Sequence, residues 1–235
     1  MEVLVAGVVV ALVALIITLI ITLIAVVVRA ERKRQERIRQ WAAHHGWTVQ
    51  KRPTGDWGMG HGTAKRRGSS SWAARLPGKN RHGVSLLVSG VVHGRLVGVA
   101  EYSYETTSHD SDGSSSRTTH DYIVTAVRLD AQYPPIAVVR RGALSRLGRT
   151  MFGDNAASTG HEAFDRQFRV DTKNPALARA LLGPALITEH LAGRVPAWSL
   201  AGPDLLTWQP GSISDPHQIA TLVIPLVRVA EFLGR

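Results

Sequence analysis

The chain has 235 residues, no cysteine and a formal net charge of +10, with 44% hydrophobic side chains. Lack of cysteine excludes disulfides, thiolate catalysis and Cys-ligated zinc. An excess of Lys and Arg suits anionic headgroups, nucleic acid or acidic partners, and charge by itself does not choose among them.

From Val3 to Val28 every side chain is apolar or small, Thr18 and Thr22 excepted. At a rise of about 1.5 Å per residue this run exceeds a hydrocarbon core of about 30 Å, so residues 1–28 read as a transmembrane helix. A secretory signal would have a shorter apolar core behind a basic start, whereas here Glu2 is the single charge before the run. Residues 29–39 carry six basic side chains (Arg29, Arg32, Lys33, Arg34, Arg37, Arg39) against Glu31 and Glu36. Such an excess beside a span marks the cytoplasmic side, so the expected topology is single-pass, N-terminus outside and C-terminal domain in the cytoplasm.

Residues 29–46 are expected to form a basic juxtamembrane helix, with Gly46 as its stop. Residues 47–235 are expected to form one cytoplasmic α+β domain, with long loops near 52–82 and 106–119. Trp47–Gln50 opens a strand, and Val84–Ser89 and Val91–Tyr104 are strand-rich, with Gly90 between them, like Gly94 and Gly98 within the second, permitting turns or bulges. In Val97–Tyr104, Val97, Val99, Glu101 and Ser103 share one face and Gly98, Ala100, Tyr102 and Tyr104 the other. Thr106–Thr119 has five serines and no aliphatic side chain, and is expected as a loop at the tip of a hairpin. Tyr122–Leu129 and Ile136–Arg140 read as separate strands, because Pro134 and Pro135 lack amide hydrogens.

A short helix is expected at Ala143–Met151, then a half-buried strand at Phe164–Val170. Asn174-Pro175 caps an Ala/Leu-rich helix, which Gly183-Pro184 interrupts before a second piece reaches Leu191. Trp198–Ala201 and Leu205–Gln209 are expected to form a hairpin about Gly202-Pro203-Asp204. Asp215-Pro216 precedes a helix whose Ile219, Leu222, Val223, Leu226, Ala230 and Leu233 make an apolar stripe for the sheet, with Pro225 expected to kink it. The fold class is therefore α+β: an N-terminal transmembrane helix, then an antiparallel sheet packed against helices, including a C-terminal one.

Several residue patterns resemble a group of actinobacterial single-pass membrane-anchored proteins of unknown function. They are Gly94-Arg95 leading to Glu101-Tyr102-x-Tyr104, Phe164 through Phe168-x-Val170, Ala180-Leu181-Leu182-x-Pro184, and Trp198 through Gly202. The resemblance spans most of Trp41–Leu233 and implies lineage and anchoring, but neither a reaction nor catalytic residues.

No catalytic, cofactor or metal residues are assigned from the sequence. The ten histidines are scattered, and His161-Glu162 lacks the second histidine at i+4 that a zinc-protease helix needs, since Asp165 stands there. Gly58-Met59-Gly60-His61-Gly62-Thr63 lacks the strand, Gly-Lys-Ser/Thr and helix of a phosphate loop, and no Gly-x-Ser-x-Gly elbow occurs.

Two features point to contacts. Lys65, Arg66 and Arg67, with Trp57 and Trp72 nearby, form either a solvated charged loop, the favoured reading, or a contact for phosphate-bearing lipid or RNA through charge plus aromatic insertion or stacking, anionic lipid being the possible partner and nucleic acid not expected. Within the span, Gly7, Ala11, Ala14, Thr18, Thr22 and Ala25 fall within about 80° of arc at 100° per residue, a small-residue face that lets a helix partner or second copy approach. The expected function is a non-enzymatic scaffold or partner-binding module at the inner face. The alternatives are a membrane-tethered enzyme or an anionic-lipid-binding domain. Fusing a phosphatase that works only outside the cytoplasm to Arg235 should yield an inactive hybrid, and strong phosphatase activity would overturn the topology.

Overall fold

The computed structural model describes residues 2–53, 82–109, 115–141 and 156–233. Helix α1, Glu2–His44, is a single 43-residue helix. Its apolar part is long and apolar enough to cross a membrane. The helix passes from the apolar run into the basic segment without a break. It ends where Trp47 N–H reaches back to the Ala42 carbonyl at 2.7 Å, just after Gly46.

Strand β1 (Thr48–Lys51) follows, then β2 (His82–Val92), β3 (Arg95–His109), β4 (Ser115–Arg140) and β5 (Ala156–Ala157). Helix α2 (Glu162–Gln167), strand β6 (Phe168–Thr172), helices α3 (Pro175–Leu181) and α4 (Pro184–Leu191), strand β7 (Trp198–Pro210) and helix α5 (Gln218–Leu233) complete the order. Among the described residues seven strands make one sheet in the order β1-β2-β3-β4-β6-β5, with β7 also paired to β4. Every pairing is antiparallel.

The 26-residue strand β4 organises the sheet. Residues 123–127 pair at once with β3 and β7, so these two strands lie on opposite edges of β4, and farther along Ile136–Arg140 pair with β6. Tyr133-Pro134-Pro135 does not end the strand. The register against β7 shifts there instead, so the missing proline amides are absorbed as an irregularity within a continuing strand. The facing strand is continuous too: Trp198–Pro210 runs antiparallel along β4 and forms no hairpin at Gly202-Pro203-Asp204, because both of its halves find their partner in β4.

Three further boundaries differ from the sequence reading. The β2–β3 turn falls at His93-Gly94, both with positive φ (48° and 75°), as a two-residue type I′ turn requires. Gly90 stays inside β2, where a Cβ would lie 2.4 Å from the Trp47 ring, so glycine is needed for the end of α1 to settle on the strand. Phe164–Val170 is split between α2 and β6. The His161 ring caps α2 by accepting from Phe164 N–H, and Asp165 accepts from the hydroxyls of Ser158 and Thr159, so local side-chain hydrogen bonds override the alternating pattern. Thr106–His109 and Ser115–Thr119, expected as loop, pair as the outer part of the β3–β4 hairpin. Ala143–Met151 lies outside the described residues.

Asn174 caps α3 through Leu177 N–H, with Pro175 in the first turn, as the sequence indicates. Helix α5 begins at Gln218 and buries Ile219, Val223, Leu226, Ala230 and Leu233 against β3, β4 and β7. The main core lies on that face of the sheet: Val97, Val99, Ile123, Val127 and Leu205 meet α5, together with Ile38 and Ala42 from α1. The opposite face carries a smaller cluster of Leu87, Ala100, Tyr102, Val124, Ala126 and Leu206. At roughly 1.5–3 kcal/mol for each large apolar side chain, the main core accounts for most of the burial energy.

His190 of α4 is fully buried between Phe164, Phe168 and Trp198. Its Nε2 accepts from Trp198 Nε1–H at 2.9 Å, and its Nδ1 has no partner among the described residues. Burial, assisted by the Arg140 charge, lowers its pKa from 6.5 to about 4. In the unfolded chain the ring protonates as pH falls through about 6.5, while in the folded protein it stays neutral until about 4. Stability is therefore untouched above pH 7 and declines between those values, by about 3 kcal/mol at most. Urea unfolding at pH 7.5 and pH 5 should show this decline, and His190→Gln should flatten it.

Candidate functional site

The clearest polar constellation lies where α1 meets the sheet. Ile38 and Ala42 enter the core at a spacing of four, which places both on one face of the helix. Arg34, four residues before Ile38, continues that face and comes to rest over Glu101 of β3. Glu101 shares its side of β3 with Val97 and Val99 and is only 7% exposed, so its charge requires a partner.

Arg34 supplies one with all five of its N–H groups engaged. Nη1 donates to Glu101 Oε1 at 2.6 Å and to the Ile213 carbonyl at 2.5 Å. Nη2 donates to Glu101 Oε2 at 3.1 Å and to Glu31 Oε1 at 2.7 Å, and Nε donates to Glu31 Oε2 at 2.8 Å. Glu101 also accepts from Ile213 N–H at 2.7 Å and from the Ser85 hydroxyl at 3.4 Å. Gln35 donates to Glu31 at 2.6 Å. The Glu31 and Glu101 carboxylates hold the guanidinium firmly protonated, and Arg34 holds the Glu31 carboxyl below its ordinary range.

This junction therefore ties three stretches distant in sequence: the basic part of α1, the middle of β3 and the β7–α5 connection around fully buried Ile213. In the sequence Arg34 stands only as one of six orienting cations. The available signal was Glu101, a carboxylate on the same strand face as two valines, which implies a buried cation from elsewhere in the chain.

A second concave feature is a cleft of about 250 Å³ between α5, the turn after α4, and strands β4 and β7. Thr125, Thr207, Gln209 and Thr221 give it hydroxyl and amide groups, and Val195, Leu222 and Pro225 give it an apolar wall. Arg194 at its rim is committed to Glu189, at 2.9 Å through both Nε and Nη2, and Arg228 shares that carboxylate. These groups can position a small ligand by hydrogen bonds. Among the described residues no three His, Asp or Glu converge as metal ligands would.

The structure places the remaining predicted residues as follows. Gly7, Ala11, Ala14, Thr18, Thr22 and Ala25 all lie in α1, and the last four are exposed along it. The hydroxyls of Thr18 and Thr22 donate to the carbonyls of Ala14 and Thr18, each at 2.8 Å, so neither is left unpaired on an apolar surface. Lys65, Arg66 and Arg67 lie outside the described residues.

No protein-family model matches the chain, and no curated protein matches it in sequence. Among solved structures it is similar to the crystal structure of the mycobacterial trehalose monomycolate transport factor A, TtfA. The TM-score is 0.50 at 13% identity, over 85% of this chain and 91% of that one. At that identity the likeness shows the fold, an α+β arrangement found in a mycobacterial and hence actinobacterial protein.

Removing Arg34 would strand the Glu101 carboxylate in the core. Arg34→Ala should cost about 3 kcal/mol in urea unfolding of the full chain, and Arg34→Lys should recover only part of this because it cannot reproduce the fork. The double change Arg34→Met with Glu101→Leu should be closer to wild type than Arg34→Ala.

Proposed function

We propose that the chain is a non-enzymatic, single-pass membrane-anchored module that holds a partner-binding α+β domain at the cytoplasmic face. The observation that carries this reading is the continuity of α1. The helix that is apolar over residues 3–28 reaches the domain core at Arg34, Ile38 and Ala42 without an intervening linker. An enzyme merely tethered near its substrate has no need of such coupling. A module that must present one surface at a set height above the bilayer does.

From Val28 to Arg34 is six residues, about 9 Å of helix, so the domain would sit directly on the headgroup layer. The six basic residues just after the apolar run support the inward orientation. The name of the structural neighbour, a trehalose monomycolate transport factor, is in keeping with an accessory role in a membrane process. The Lys65-Arg66-Arg67 run adds a contact to anionic lipid in this reading.

The partner contact within the membrane is the small-residue face of α1, with Thr18 and Thr22 already satisfied by their own helix. A photo-crosslinker at position 22 of the full chain in its native membrane should give a discrete adduct, either a dimer or a complex with another membrane protein. Ala14→Leu or Gly7→Leu should reduce that adduct several-fold, and Leu15→Ala should leave it unchanged. If neither bulky change alters it, the helix serves only as an anchor.

A further inference from the structure

Three contacts set the direction of the sheet relative to α1. Trp47, just past the end of the helix, packs on Gly90 of β2. Arg34 reaches Glu101, whose partner in β2 is Leu86. Lys51, also paired with Leu86, lies close enough to Glu31 for its charge to act on that carboxyl. Between His44 and Arg34 the helix rises about 15 Å, and between Gly90 and Leu86 the strand covers about 13 Å. The docked part of α1 and β2 therefore run side by side, with Leu86 toward the apolar segment and Gly90 away from it.

Beyond the Leu86–Glu101 pair, on the side of the apolar segment, β3 continues to His109 and β4 returns from Ser115. Glu101 to His109 is eight residues, about 26 Å of strand, while Arg34 to Val28 is only about 9 Å of helix. Even if sheet twist inclined the hairpin by about 45°, some 18 Å of its length would remain along the helix axis. The hairpin thus extends past the level at which the apolar run of α1 ends.

The apolar run, 26 residues and about 39 Å of helix, exceeds a hydrocarbon core of about 30 Å, so headgroups surround its last turns and it is these, not hydrocarbon, that the hairpin meets. Between Glu105 and Thr119 there is no aliphatic side chain, and polar groups in hydrocarbon would go unsatisfied. We infer that the outer β3–β4 hairpin lies against the phospholipid headgroups of the bilayer in which α1 is anchored, a conclusion that rests on the anchored reading above. At its base Tyr104 stacks on His120 at 4.8 Å and on Tyr122 at 6.0 Å, about 10 Å beyond Glu101 and so level with Arg29, where interfacial aromatic residues collect. In the described part of the arm Glu105 pairs with Arg117 at 3.4 Å, Thr106 bonds His120 at 3.0 Å and Ser108 bonds Ser116 at 2.6 Å, while the exposed hydroxyls of Thr107, Ser115, Thr118 and Thr119 have no side-chain partner among the described residues. Contact is therefore made by hydrogen bonds to phosphate and ester oxygens and does not need anionic lipid.

Absence of native cysteine makes the test direct. Four single-cysteine forms of the full chain are labelled with a fluorophore and placed in nanodiscs of zwitterionic phosphatidylcholine: Thr107→Cys and Ser116→Cys in the arm, Val91→Cys at the far end of β2, and Ile20→Cys in the span. A quencher on the lipid headgroup should act several-fold more strongly on the two arm labels than on the Val91 label, and a quencher deep in the acyl chains should act on the Ile20 label alone. Equal quenching of the arm and Val91 labels, with Ile20 buried in lipid, overturns the headgroup contact and leaves the anchor standing. An Ile20 label out of reach of the acyl-chain quencher overturns the anchored reading and this inference with it.

Discussion

A single guanidinium between two carboxylates governs how the parts of this molecule relate. Arg34 leaves α1 near the start of its polar region and gives its five N–H groups to Glu31, Glu101 and the Ile213 carbonyl. Desolvating such a group is costly, and only geometry this complete offsets it. The energetic gain over an apolar contact is small, but the directional gain is large. A hydrophobic patch allows a helix to slide or rotate, whereas a forked donor with five matched acceptors admits one position. With Ile38 and Ala42 buried a turn or two farther on, α1 is held both by packing and by direction.

The sheet depends on the same fixed point. Glu101 lies midway along β3, and its register partners Leu86 and Ile123 carry the line across to β1 and β7. On one side of that line the strands are closed by the tight His93-Gly94 turn and by α5, whose Glu231 accepts from or pairs with His93 at 2.8 Å. On the other side β3 and β4 run on as a polar hairpin. The long strand β4 lets one sheet serve both ends, because it takes β3, β6 and β7 as partners along its length.

Several elements were legible from residues alone for identifiable reasons. Asn174-Pro175, Gly183-Pro184 and the spaced apolar stripe of α5 are local signals read within one or two turns of helix, and they recur in the structure. The misread boundaries share a different cause. Pro134-Pro135 and Gly202-Pro203 look like terminators, but β4 and β7 face each other across these irregularities and each carries the other through. At Phe164–Val170 the alternating pattern was real, yet the donors around Asp165 and the His161 cap stabilise a helical turn first.

The sequence by itself determined the long apolar helix, the basic collar after it, the α+β class and the capped helices, because each depends on neighbours within a few residues. Only the tertiary structure decided that α1 and the sheet form one body, that Arg34 and Glu101 meet across 67 positions, and that the β3–β4 hairpin points along α1 toward its apolar end. Those outcomes depend on strand register and on which buried charge finds which partner. Such long-range pairings leave only a faint trace in a linear chain: here, one carboxylate on a face of valines.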